Sequence, residues 1–78
     1  MTTYNDLLEN MTKHEAISLA DQAVRDGWGF LMYRDYVYCG RHVWAVGLRD
    51  YRSGLPFTIH TLHEYRELMG RVGQPQNP

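Results

Sequence analysis

Lysine is almost missing from this chain: Lys13 is the single lysine among eight basic residues, and the other seven are arginine. Cysteine is equally scarce. Cys39 stands alone and cannot close a disulfide within the chain, a usage that suits a reducing cytoplasm better than secretion. No apolar run approaches the roughly 18 residues that a transmembrane helix needs, and no signal peptide is expected. Net charge is scarce as well, at −1. That excludes a strongly basic nucleic-acid clamp and a strongly acidic mimic of DNA.

Catalytic signatures are absent too. The chain has no Gly-rich phosphate loop, no G-x-S-x-G elbow and no H-E-x-x-H pair. His14-Glu15 and His63-Glu64 are adjacent in sequence, and neighbours on a helix do not face each other. With 78 residues there is room for one small domain and little for a closed pocket. The expectation is a protein that is not an enzyme and takes no cofactor.

Arginine and aromatic side chains fill the space left by lysine. Six tyrosines, two tryptophans and two phenylalanines sit among the seven arginines. Arg and Tyr are enriched at protein interfaces, although a GC-rich genome would also favour Arg over Lys.

The punctuation of the chain predicts its elements. Thr3/Asp6, Thr12/Glu15 and Thr61/Glu64 are three Thr-x-x-acid signatures of helix starts. After Thr3, the stripe Tyr4, Leu7, Leu8 and Met11 predicts one amphipathic helix; after Thr12, Ala16, Ile17, Ala20, Ala23 and Val24 predict a second. At about 100° per residue the two stripes would fall on nearly opposite faces, so a break is placed around Asn10–Thr12. Gly27 is a natural left-handed residue to end the second helix.

Three strands follow, over Phe30–Cys39, Val43–Tyr51 and Leu55–His60, with turns at Gly40-Arg41 and Arg52-Ser53-Gly54. Thr61 caps a last helix that turns Leu62, Tyr65, Leu68 and Met69 inward and stops at Gly70. The expected fold is α+β, order α(α)βββα, with a three-stranded antiparallel sheet flanked by helices because the links are too short for parallel crossovers. Residues 1–72 form the single domain, and Gly73–Pro78 a disordered tail. The middle strand is apolar on both sides, with Trp44, Val46 and Leu48 on one and Val43, Ala45 and Gly47 on the other. Either the N-terminal helix or a partner, including a second copy, would cover the second face.

Two pairs, Cys39-x-x-His42 and His60-x-x-His63, have zinc-like spacing. Cys39 and His42 straddle a turn while His60 and His63 straddle a strand-to-helix junction, so convergence is not implied and no metal is expected.

Two resemblances concern nucleic acid. The αβββα order resembles the double-stranded RNA-binding domain, which implies phosphate contacts from a Lys-rich start to the last helix. Here Thr61-Leu62-His63-Glu64-Tyr65 has no Lys and carries Glu64. Asp26-Gly27-Trp28-Gly29-Phe30-Leu31-Met32-Tyr33 is similar to the RNP1 signature of RNA-recognition motifs, which implies base stacking on Trp28 and Phe30. Asp26 stands where that signature is basic, and a helix precedes the match where the family has a strand.

The expected site is the hairpin region, where Tyr33, Arg34, Tyr36, Tyr38, Arg41, Trp44, Arg49, Tyr51 and Arg52 crowd together. Arg with aromatics suits a protein partner and also single-stranded nucleic acid. Asp26, Asp35 and Asp50 interrupt the positive charge and favour another protein or protein complex, with nucleic acid less favoured, a homodimer possible and no membrane involved. In size and lack of motif the chain looks like phage or mobile-element accessory proteins such as anti-CRISPR inhibitors. The expected function is a small protein-binding inhibitor acting by steric occlusion of a nucleic-acid-processing complex. The alternative is a single-stranded nucleic-acid-binding module.

Overall fold

Thr12 starts the first helix as its spacing predicts. In the computed structural model, which describes residues 10–72, the Thr12 hydroxyl accepts from the Glu15 amide at 3.2 Å. The Glu15 carboxylate in turn accepts from the Thr12 amide at 3.0 Å, completing a capping box. Helix α1 runs over Lys13–Arg25 and ends in a left-handed turn. Gly27, at φ +108°, donates to Val24 at 3.1 Å while Trp28 donates to Ala23 at 3.0 Å, the two bonds of a Schellman motif. Glycine has no Cβ to oppose that φ.

The sheet is antiparallel, in the order β1(Gly29–Tyr38), β2(Arg41–Arg49), β3(Pro56–Ile59). The first turn is Cys39-Gly40, both at positive φ (54° and 79°), rather than the expected Gly40-Arg41. A two-residue turn of this kind needs consecutive left-handed residues and leaves Arg41 free to pair with Tyr38. The second turn is tied down by Asp50, which accepts from the amides of Arg52 (2.7 Å) and Ser53 (3.3 Å). The Arg52 amide, as the largest cause, holds the Asp50 carboxyl below its ordinary value.

The last helix, α2, covers Leu62–Val72. Thr61 caps the Glu64 amide at 2.9 Å, but Glu64 reaches back to the His60 amide, one residue beyond the usual box position. Gly70 does not stop it. Met69 and Val72 pack on the core from either side of that glycine, and their burial outweighs the poor helix propensity of one Gly.

Both helices pack on one face of the sheet. Ala16, Leu19, Ala20 and Ala23 of α1 and Tyr65 of α2 meet Val46, Leu48 and Ile59, together with Met11 and Trp28. Three alanines let α1 approach the sheet closely. Each fully buried Leu, Val or Met adds about 1.5–3 kcal/mol. Met11 is extended, in an isolated antiparallel bridge with Trp44. The rest of the expected N-terminal helix, with Thr3, Tyr4, Asp6, Leu7 and Leu8, and the expected tail Gly73–Pro78 lie outside the described residues. Val43, Ala45 and Gly47 are also buried, so β2 is covered on both faces, although Val43 and Ala45 stand outside the cluster beneath the helices.

Trp28 and Tyr65 join the two ends. The Trp28 ring meets Tyr51 and Phe57 edge-on at centroid distances of 4.6 and 5.3 Å. The Tyr65 hydroxyl donates to Asp26, at the C-cap of α1, at 2.5 Å. Burial first, then Asp26, pushes the Tyr65 phenol well above its ordinary value of 10.0. The buried indole N–H of Trp28 completes no hydrogen bond of sound geometry, though it favours the Tyr65 anion slightly.

The folded phenol stays protonated well past pH 10.0 while the unfolded one ionises there, so the contact's contribution to stability is complete below pH 10.0 and declines progressively above it. Tyr65→Phe is expected to destabilise the fold by about 1–2 kcal/mol at neutral pH. It should also remove part of the native chain's loss of stability above that pH; denaturant melts on either side of it check both.

Candidate functional site

Register sorts the predicted site residues onto two faces. Because side chains alternate along a strand, Tyr33, Asp35 and Val37 share the helix-covered face with their partners Val46, Trp44 and His42. Met32, Arg34, Tyr36 and Tyr38 share the face away from the helices with Gly47, Ala45, Val43 and Arg41; this face is open along β1 and covered over β2 from Val43 to Gly47. Leu31 breaks the alternation: the ladder shifts between Phe30 and Met32, a bulge in β1.

Four of the nine predicted residues therefore belong together. Arg34, Tyr36, Tyr38 and Arg41 lie side by side on the open face at the turn end of the β1–β2 ribbon. The other five are elsewhere. Tyr33 is on the opposite face, 4.8 Å from the Phe30 ring. Trp44 packs against the core, with the Lys13 ammonium 5.7 Å from its ring centre. Arg49 shares the open face but donates to the Gly54 carbonyl at 2.6 Å and so braces the second turn. Tyr51 roofs Trp28, and Arg52 lies 5.4 Å from the Tyr51 ring.

The acids expected to interrupt the positive charge do not do so. Asp35 is on the far face, where it pairs with His42 at 3.0 Å; Asp26 accepts from Tyr65, and Asp50 holds its turn. The open face of the described strands carries Arg34, Arg41 and Arg49 and no acid.

The zinc-like pairs are held in other ways. Cys39 is in the turn, His42 is on Asp35, His60 lies 3.5 Å from Glu64, and His63 lies 3.2 Å from Glu67. Among the described residues no three His, Cys, Asp or Glu side chains gather as a metal site.

A second surface escapes the reading of the hairpin. Ile17 and Val24, expected to face inward, are 43% and 52% exposed, and Leu19 takes the inward position instead. Both point roughly 100° round the helix from the middle of the buried stripe. There they border an open groove of about 410 Å³ together with Phe30 and Tyr33. On the open face, Leu31, Met32, Arg34, Gly47 and Thr58 line a smaller hollow of about 260 Å³, for which Gly47 leaves the room. The sequence signal was that Ile17 and Val24, seven residues apart, keep to one edge of the stripe.

Between the two surfaces lies β1 itself. It is the edge of the sheet, and every residue from Gly29 to Val37 is exposed. Val37 is 65% and Met32 54% exposed. This ten-residue edge has no proline or lysine and, Arg34 and Asp35 apart, is apolar or aromatic, and a long exposed edge of that kind invites pairing with another chain. Among the described residues no helix is long and apolar enough to cross a membrane. The chain matches no family model, no curated protein and no solved structure.

If Ile17 and Val24 serve a surface rather than the core, Ile17→Ser and Val24→Ser should each change stability by less than about 0.5 kcal/mol. Leu19→Ala should cost about 2–5 kcal/mol. Parallel denaturant melts of the three variants make the comparison.

Proposed function

We propose that this chain is a small non-enzymatic protein-binding module, of the inhibitor or accessory type, that docks through β1 and the ribbon it forms with β2. The observation that carries this reading is the exposure of β1 on both faces. Isolated exposed apolar side chains are ordinary, but a contiguous set along one strand marks an interaction surface. Tyr36, Tyr38, Arg34 and Arg41 supply the aromatic and arginine anchors that dominate protein interfaces.

Steric occlusion is the mechanism that suits such a surface, since the grooves of about 410 and 370 Å³ beside α1 are open and His42, His60 and His63 lie on exposed carboxylates. An anti-CRISPR-like role, in which the module covers part of a nucleic-acid-processing complex in the cytoplasm, is the biological form of the proposal. It rests on size, missing catalytic motifs and the single cysteine.

The sorting of charge favours one second reading. Three arginines with Tyr36 and Tyr38 on an acid-free face could stack and neutralise single-stranded nucleic acid. The net charge of −1 and the apolar groove beside α1 favour protein.

A tagged chain should co-purify with a discrete protein complex that is lost on Arg41→Glu or Tyr36→Ala and kept on Leu55→Ser, an exposed change in the second turn. Unchanged capture by all three variants would remove the hairpin from the site. Retardation of labelled single-stranded oligonucleotides, weakening steeply with salt, would favour the second reading instead.

A further inference from the structure

The backbone of β1 indicates what kind of partner would fit. Closure of Tyr38 and Arg41 by a two-residue turn makes them a mutually hydrogen-bonded pair. Alternation then gives the same pairing to Tyr36–Val43, Arg34–Ala45 and Met32–Gly47. The N–H and C=O groups of Tyr33, Asp35 and Val37 therefore point away from β2, along the free edge of the sheet. This row is a template for one more strand, and the bulge at Leu31 ends it on one side.

Side chains on the two faces set the composition of that strand. On the helix side it would run beside Tyr33 and Val37, with Asp35 between them held by His42, and border the groove with Ile17 and Val24, which asks for apolar residues at the groove end. On the open side it would run beside Arg34, with Arg41 one strand further in and no acid on that face of the described strands. Acidic residues fit there. A second copy fits poorly: β1 paired with itself about a two-fold axis opposes Arg34 to Arg34, or Asp35 to Asp35, at its two central registers.

We propose that β1 takes up an extended protein segment of alternating apolar and acidic residues, added as a strand along Tyr33–Val37. This inference rests on the protein-docking reading and names the partner chemistry that the reading requires. Main-chain bonds would hold the segment, and Arg34 together with the groove beside α1 would select it.

The test uses the full chain and fluorescein-labelled peptides of alternating valine and glutamate, or alternating valine and lysine, read by anisotropy and by amide hydrogen exchange. The glutamate peptide is expected to bind about tenfold or more tightly than the lysine peptide. It should slow exchange at Tyr33, Asp35 and Val37. Arg34→Glu should reverse the preference without touching the backbone. Asp35→Pro, which removes an outward N–H, should weaken both peptides while circular dichroism stays unchanged.

Equal binding of the two peptides, no binding of either, or binding without protection of those three amides overturns strand addition. So does protection of the same amides without peptide at doubled mass, which would mark a second copy, or displacement of the peptide by oligothymidylate. A discrete complex sensitive to Arg41→Glu, together with no peptide binding, overturns this inference alone; loss of both removes the docking reading as well.

Discussion

Trp28 is the contact on which the rest of the structure depends. It is the third residue after α1, and the left-handed Gly27 turns it back under the helix so that its amide bonds to Ala23. From there its ring meets Tyr51 in one turn and Phe57 in β3, and its edge lies beside the Tyr65–Asp26 bond between the helices. A large aromatic at this point brings helix, sheet edge and second turn into one cluster. A small domain has few such residues, so the placement of one decides much of the packing.

The same placement leaves β1 uncovered. With α1 seated over β2 through Ala16, Ala20 and Ala23, its flank and not its centre faces β1. Ile17 and Val24 then border a groove instead of filling a core. The edge strand has no neighbouring strand beyond it among the described elements, and although α1 reaches its flank, every residue from Gly29 to Val37 stays exposed. Surface that folding does not cover is available for binding, which is why the proposed function rests on β1 and not on a cavity.

Much of the fold was legible because its signals are local. The Thr12/Glu15 box, Gly27 and the antiparallel order need only short-range geometry. The misreadings share one cause, which is that packing between elements overrode a local signal. Gly70 reads as a stop, yet Met69 and Val72 bind the core on either side of it and carry the helix through. Ile17 reads as core and Leu19 does not, because two neighbouring stripes can be drawn on α1 and only the sheet chooses between them. For the proposed hairpin surface, composition grouped Arg34, Tyr36, Tyr38 and Arg41, which register keeps on one face, with Trp44, Arg49 and Tyr51, whose side chains are engaged in the fold itself.

The length, the lone cysteine and the order of helix, turn and strand signals determined a class: a small α+β chain that cannot close a disulfide on itself. Helix starts, turn positions to within a residue and the double-sided apolar β2 also followed from the residues alone, since each depends on neighbours a few positions away. Which charges share a face was decided only by the register of β1 on β2. Pairing Arg34 with Ala45 and Asp35 with Trp44 separates opposite charges that are adjacent in the chain and leaves Arg34 and Arg41 on a face without an acid among the described strands. The physical reason is the two-residue period of a strand: one step along the chain is a change of face, and no composition records it.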